Sequence, residues 1–345
     1  MAKTTKKINL ALQGGGAHGA FTWGVLDRIL EEEDVEVAAL SGTSAGALNA
    51  SAFKAGYAKD GRQGAKDMLD WVWSEVGAVN DTRMEAWMEG VDLWSMAQAI
   101  EYSPGFAIAD FWSRAVSPYS YGPFYRNPLE PILAKFDFDC VAHESGPALF
   151  ICATRVRNGK IRVFQGEEIT AQAIMASACL PTVFQAVKIH DSQTGRIEAF
   201  WDGGFTGNPA LFPMFEPQYP DDIVIVNINP MEREVIPVTA HQIQNRINEI
   251  SFNSSLLREL RAIDLVQRLI LDGTLEKGRM SRVLVHMISD DALMNTLSVA
   301  TKLVPNPVVL SKLKAAGRES AGSFLKRHKD DIGERSTINL RTMFA

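Results

Sequence analysis

The sequence predicts an α/β protein in which a mostly parallel sheet carries helices packed against its faces. Two observations lead there. The first fifty residues read strand–helix–strand–helix, an order that sets successive strands parallel with a helix crossing between them. Short apolar runs then recur at 149–156, 197–201, 223–228 and 283–288, with helical patterns among them. The length, 345 residues with 46% apolar, suits one large domain with a sizeable core.

Residues 8–13 form the first strand and run into Gly14-Gly15-Gly16. From 20 to 33, Val25, Leu26, Ile29 and Leu30 recur at helical spacing. Residues 35–40 are a second strand ending at Gly42, and 45–56 a helix of small residues. The stretch 60–127 changes character. Five of the seven tryptophans (Trp71, Trp73, Trp87, Trp94 and Trp112) fall there with few strand signals between them, which predicts a helical insertion. Its aromatics either pack as core or, in a cap, line an apolar channel.

Residues 149–156 and 161–164 form a hairpin turned at Asn158-Gly159. Thr170 caps a helix through 178 that Pro181 stops. His190 is read in a solvated loop before strand 197–201, which leads into Asp202-Gly203-Gly204. Residues 223–228 are a strand closed by Pro230. A long helix, 239–271, carries Ile243, Ile247, Ile250, Leu257 and Leu260 roughly on one face. The last strand is 283–288, and a mostly helical, charged extension occupies about 290–345. No repeat or linker divides the chain, so 1–345 is read as one domain.

A formal charge of −6 argues against nucleic acid as a partner, since phosphate binding needs clustered Lys and Arg. The basic start (Lys3, Lys6, Lys7) leads into a glycine loop, not the apolar stretch of a secretory signal. No window holds about 18 uninterrupted apolar residues, so no membrane span is expected. Cys140, Cys152 and Cys179 are widely spaced, form no CxxC pair, and read as reduced thiols. The expected location is cytoplasmic, with no metal and no cofactor.

The strongest chemical signal is Gly42-Thr43-Ser44-Ala45-Gly46. A serine flanked two residues away by glycines, between strand and helix, is a nucleophile elbow. The turn exposes the hydroxyl at a helix N-terminus, where the dipole favours developing negative charge. The second signal, Gly14-Gly15-Gly16-Ala17-His18-Gly19, also reads as the dinucleotide fingerprint GxGxxG. A nucleotide site needs an acid at the end of strand two to hold the ribose, and the serine elbow stands there instead. The loop's amides, beside the next strand's end, suit the oxyanion of a tetrahedral intermediate.

Two residues compete as the base for Ser44. His18 has the usual chemistry but lies in the glycine loop. Asp202 follows a strand and precedes two glycines, so its carboxylate can project beside the elbow. Burial would raise its pKa from the ordinary 3.9 and strengthen its bond to the serine hydroxyl.

The glycine loop, the serine elbow, Ala176-Ser177-Ala178-Cys179-Leu180-Pro181, and Asp202-Gly203-Gly204 followed by Asn208-Pro209 occur in the order of the patatin-like phospholipases. The resemblance covers about residues 8–230. It implies a three-layer αβα fold related to cytosolic phospholipase A2, and hydrolysis of lipid acyl esters by a Ser–Asp dyad without histidine. By that resemblance Ser44 is nucleophile, Asp202 base, and Gly14, Gly15 and Gly16 the oxyanion loop. His18, Gly42, Gly46, Gly203, Gly204 and Asn208 support them, with Pro209 shaping the loop behind Asp202. The chain departs from the family at His18, where Arg or Lys is usual. The implied partner is a lipid or acyl-ester substrate, with peripheral contact at the inner membrane face. Thioesters, a storage polyester, or acyl transfer remain as alternatives, as does a nucleotide-binding module of a different class.

Overall fold

Along each central strand, apolar side chains alternate between two separate clusters, and that alternation requires helices on both faces. Leu10, Leu12, Leu40, Ile151, Val224 and Val226 join one cluster, while Ala11, Ala39, Phe150, Ile223 and Ile225 join the other. The computed structural model describes residues 5–77, 92–143, 145–234, 236–276 and 278–344. In order, they form β1 (Lys6–Leu12), α1 (Gly19–Ile29), β2 (Val35–Gly42) and α2 (Ala45–Val76). Next come α3 (Leu93–Glu101), α4 (Pro104–Ala115), α5 (Glu130–Leu133) and α6 (Phe138–Ala142). The chain continues with β3 (Ala148–Arg155), β4 (Ile161–Gln165), α7 (Ala171–Ser177), β5 (Val187–Asp191), β6 (Arg196–Asp202) and β7 (Asp222–Asn227). It closes with α8 (Ala240–Leu271), β8 (Leu284–Ser289), α9 (Asp291–Thr296), α10 (Val299–Leu303), α11 (Pro307–His328) and α12 (Leu340–Met343).

The sheet runs β5-β6-β3-β2-β1-β7-β8, with β4 also on β3. The pairs β1–β2, β1–β7, β2–β3 and β7–β8 are parallel; those of β3 with β4 and β6, and of β5 with β6, are antiparallel. Helices α1, α2 and α11 cover one face, and α8 and α12 the other, giving three layers. The extension is part of this core. Gly24 of α1 lies against the Lys314 carbonyl of α11, and Gly317 of α11 against the Phe21 carbonyl, so close that a Cβ at either would collide with backbone. Arg318 of α11 pairs with Asp27 of α1 and with Glu31 just beyond its end, along the same contact.

Three details differ from the sequence reading. His190 is exposed as expected but lies on an edge strand, β5, whose residues Val-Lys-Ile-His-Asp alternate too weakly to stand out. Helix α2 does not stop at 56. It continues through a break at Asp60 and Gly61 to Val76, and carries Trp71 and Trp73. Trp73 is buried, stacks on Trp23 at 5.9 Å and donates to Asn49 Oδ1 (2.9 Å), so it is core. Trp94 and Trp112 are exposed, and Trp87 lies outside the described residues. On α8, Leu260 is fully buried, but Ile243, Ile247 and Ile250 are 43%, 53% and 53% exposed. The N-terminal half of the helix packs through Glu249, Phe252 and Asn253, all buried, so the isoleucines lie on the face turned away from that contact.

Candidate active site

The Gly42–Gly46 turn joins β2 to α2. A Cβ at Gly42 would meet the Gly46 carbonyl, and one at Gly46 the Leu12 carbonyl of β1, so only glycine permits this approach. At its tip Ser44 has φ +54°, the one residue other than glycine with positive φ among those described. This sparsely allowed conformation is held by its surroundings. The Ser44 amide donates to Ser177 Oγ at the end of α7 (2.9 Å), and Thr43 Oγ1 donates to the Gly207 carbonyl (2.6 Å).

Asp202 ends β6. Register places Gly42 opposite Ile151 and Asp202 opposite Ala153, two residues apart on β3, so the elbow and the aspartate meet at one place on the sheet. Asp202 is fully buried, and its amide donates to the Cys179 carbonyl (2.8 Å). Its Oδ1 accepts from the Gly204 amide (2.7 Å). Oδ2 makes no hydrogen bond of regular geometry, though the Ser44 hydroxyl is near enough to stabilise the charge. Burial dominates and pushes the Asp202 pKa up to about 7, against the Gly204 amide and Ser44.

The glycine loop follows β1. The Gly14 amide is engaged by Asn208 Oδ1 (2.7 Å), which ties this loop to the one behind Asp202; Asn208-Pro209 is a cis peptide. The amides of Gly15 and Gly16 have no acceptor among the described residues. Gly16 has φ +59° and lies so close to the Lys302 carbonyl that a side chain would be excluded.

Ser44, Asp202, Gly15 and Gly16 line one cavity of about 150 Å³, walled by Leu180, Val183, Phe252 and Leu303 and by Gln244, Asn245 and Asn248 of α8. His18 is not in its wall. It is buried, with Nε2 2.8 Å from Thr301 Oγ1. That hydroxyl donates to the Ser298 carbonyl (2.7 Å), so Nε2 carries the proton and Nδ1 is a bare, unpartnered lone pair. Burial, with Lys302 and Arg233 adding to it, lowers the His18 pKa well below the usual value and keeps the ring neutral.

The structure adds three residues that the sequence reading left without a role. Ser177 was visible only as part of a quoted stretch, while Asn229 and Lys302 carry no local signature. Among the described residues no group of His, Cys, Asp and Glu could hold a metal ion, and no helix is long and apolar enough to cross a membrane.

The chain is similar to the crystal structure of VipD from Legionella pneumophila at 14% identity and a TM-score of 0.42, covering 94% of this chain and 67% of that one. It is also similar to the ExoU–SpcU complex from the type III secretion system of Pseudomonas aeruginosa, at 16% identity and a TM-score of 0.29, covering 96% of this chain and 62% of that one. No curated protein sequence matches the chain. The family model of the patatin-like phospholipases matches residues 10–214, more than half the sequence and the stretch that holds both loops, the elbow and Asp202. The chain belongs to the patatin-like phospholipase family, a family of lipid acyl hydrolases.

Proposed function

We propose that this protein hydrolyses acyl esters of phospholipids or lysophospholipids with a Ser44–Asp202 dyad. The observation that carries the reading is a buried carboxylate with a pKa of about 7, sharing a small cavity with a serine on a strained turn. A base with that pKa takes a proton at neutral pH and gives it back.

Ser44 Oγ attacks the ester carbonyl carbon as Asp202 Oδ2 takes its proton. The carbonyl oxygen becomes an oxyanion bound by the Gly15 and Gly16 amides, while the Gly14 amide stays with Asn208. Collapse breaks the ester C–O bond, and the departing alcohol takes the proton from Asp202. Water, deprotonated by Asp202, then attacks the acyl-serine; the second collapse releases the fatty acid and reprotonates Ser44. The side chain of His18 faces Thr301 and has no part in these steps.

Support for a lipid comes from the apolar wall of Leu180, Val183, Phe252 and Leu303, and from Ile243, Ile247 and Ile250, exposed on the same helical turns as Gln244 and Asn248. That stripe suits uptake of substrate from a lipid surface. The test is a panel of phospholipids, lysophospholipids, thioesters and short polyesters, with wild type and Ser44→Ala compared for acid release. Release from the first two classes, absent in Ser44→Ala, fits; turnover confined to thioesters or polyesters replaces the substrate class.

A further inference from the structure

The family match ends at residue 214, yet a side chain beyond it holds the Gly14 carbonyl of the glycine loop, and a second holds the first. Asn229, buried just after β7, donates from Nδ2 to the Gly14 carbonyl (2.7 Å) and to Gln13 Oε1 (3.1 Å). Lys302, at the end of α10, donates from Nζ to Asn229 Oδ1 (3.2 Å) and to Glu249 Oε1 (3.1 Å). The Gly14 carbonyl and the Gly15 N–H are two ends of one peptide unit. A donor on that oxygen draws electron density toward it and makes the N–H a stronger donor, and a cation on the far end of the asparagine amide polarises the chain further.

Glu249 faces Lys302 as a counter-ion at 3.1 Å. Burial lowers the Lys302 pKa, Arg233 and Arg246 add to that, and Glu249 opposes them. Burial also works to raise the pKa of Glu249, yet Arg233, at 2.7 and 2.8 Å, and Lys302 overcome it and pull that value down to about 2. Arg246 lies 3.5 Å from the same carboxylate, so three cations surround one anion. The loop itself, Gln13 to Gly19, holds no charge, because His18 is neutral.

We infer, building on the serine hydrolase reading above, that Lys302 and Asn229 are positioning residues for the oxyanion site. Lys302 acts through the Asn229 amide on the Gly14–Gly15 peptide, orienting and strengthening the Gly15 N–H. The C-terminal helices thereby supply the loop with a positive charge it does not carry.

The test uses the full chain and p-nitrophenyl butyrate, a neutral ester with no anionic group for a lysine to bind. Lys302→Met is expected to lower kcat by about tenfold with KM unchanged, short of the ~10²–10³-fold cost of deleting an oxyanion donor outright. Lys302→Arg restores most of the rate. Asn229→Ala loses at least as much as Lys302→Met, and the double variant loses no more than Asn229→Ala alone, as two residues on one relay require. A wild-type kcat in Lys302→Met, a rise in KM alone, or additive losses would overturn the relay. If Lys302→Met melts without cooperativity, Asn229→Asp carries the test. It keeps the lysine partner but cannot donate to Gly14, and a wild-type rate there also overturns it. Fluorophosphonate labelling keeps the two readings apart. Labelling of Ser44 at the wild-type rate in Lys302→Met defeats only the relay, whereas labelling that persists in Ser44→Ala defeats the hydrolase reading itself.

Discussion

Asp202→Asn changes charge and little else, because the amide oxygen can still accept from Gly204 and the new NH₂ can face the Ser44 hydroxyl. Its effects on turnover and on stability are opposite in sign. An amide cannot accept the serine proton, so activity should fall by at least the ~10²–10⁴-fold of general-base catalysis. Stability should rise at alkaline pH. The Asp202 pKa stands at about 7 against an ordinary 3.8, because burial penalises the charge. Between those two values the folded state keeps a proton that the unfolded state has lost. Wild-type stability is therefore full below about pH 4, declines as pH rises, and levels off above about 7. A shift of about 3 units at 1.36 kcal/mol each is about 4 kcal/mol. With an unfolding entropy near 2.1 cal/mol/K per residue, a chain of 345 residues should show this as roughly 5 °C. Melts of both proteins from pH 4.5 to 8.5 should thus show the asparagine variant ahead by about 5 °C at pH 8, with the gap closing toward pH 4.5. Equal melting temperatures at pH 8, or a wild type that is the more stable there, would refute the buried, charge-penalised base.

Wild-type kcat/KM should rise with pH through a limb near 7, as Asp202 loses its proton; a limb displaced to about 4 would show an ordinary, solvated carboxylate. His18→Gln should keep most of the activity, since its ring faces Thr301 and is held neutral, whereas loss of a histidine base would cost about 10²–10⁴-fold. Ser177→Ala should leave the Ser44 amide buried without an acceptor, cost about 1–3 kcal/mol in a denaturant titration, and slow turnover as the elbow loosens. Acyl chains of six carbons should be preferred to acetate by about two orders of magnitude in kcat/KM if each added methylene is sequestered at about 0.8 kcal/mol; a flat series would show an open site.

The site was legible wherever backbone geometry restricts residue type. Gly42, Ser44 and Gly46 are readable because a turn this tight excludes a Cβ on both sides of the serine. Asn158-Gly159 marked the β3–β4 hairpin because such a turn favours those residues. Side-chain contacts over long separations leave no such trace. Ser177 reaches Ser44 across 133 residues, and Asn229 reaches Gly14 across 215; neither residue type is unusual where it stands. Lys302 sits in an ordinary charged tail until the packing of α11 on α1 brings that tail back to the first loop. The α8 isoleucines show the converse limit. Periodicity reveals an apolar stripe, but not which face of the helix the fold covers.

The central claim is that Ser44 is the activated nucleophile, and covalent labelling tests it most directly. After treatment with a fluorophosphonate at pH 8, intact mass should show a single adduct, and peptide mapping should place it on the fragment containing residues 42–46. The adduct should vanish in Ser44→Ala and form far more slowly in Asp202→Asn. An adduct on another peptide, or one of undiminished yield in Ser44→Ala, would contradict the account.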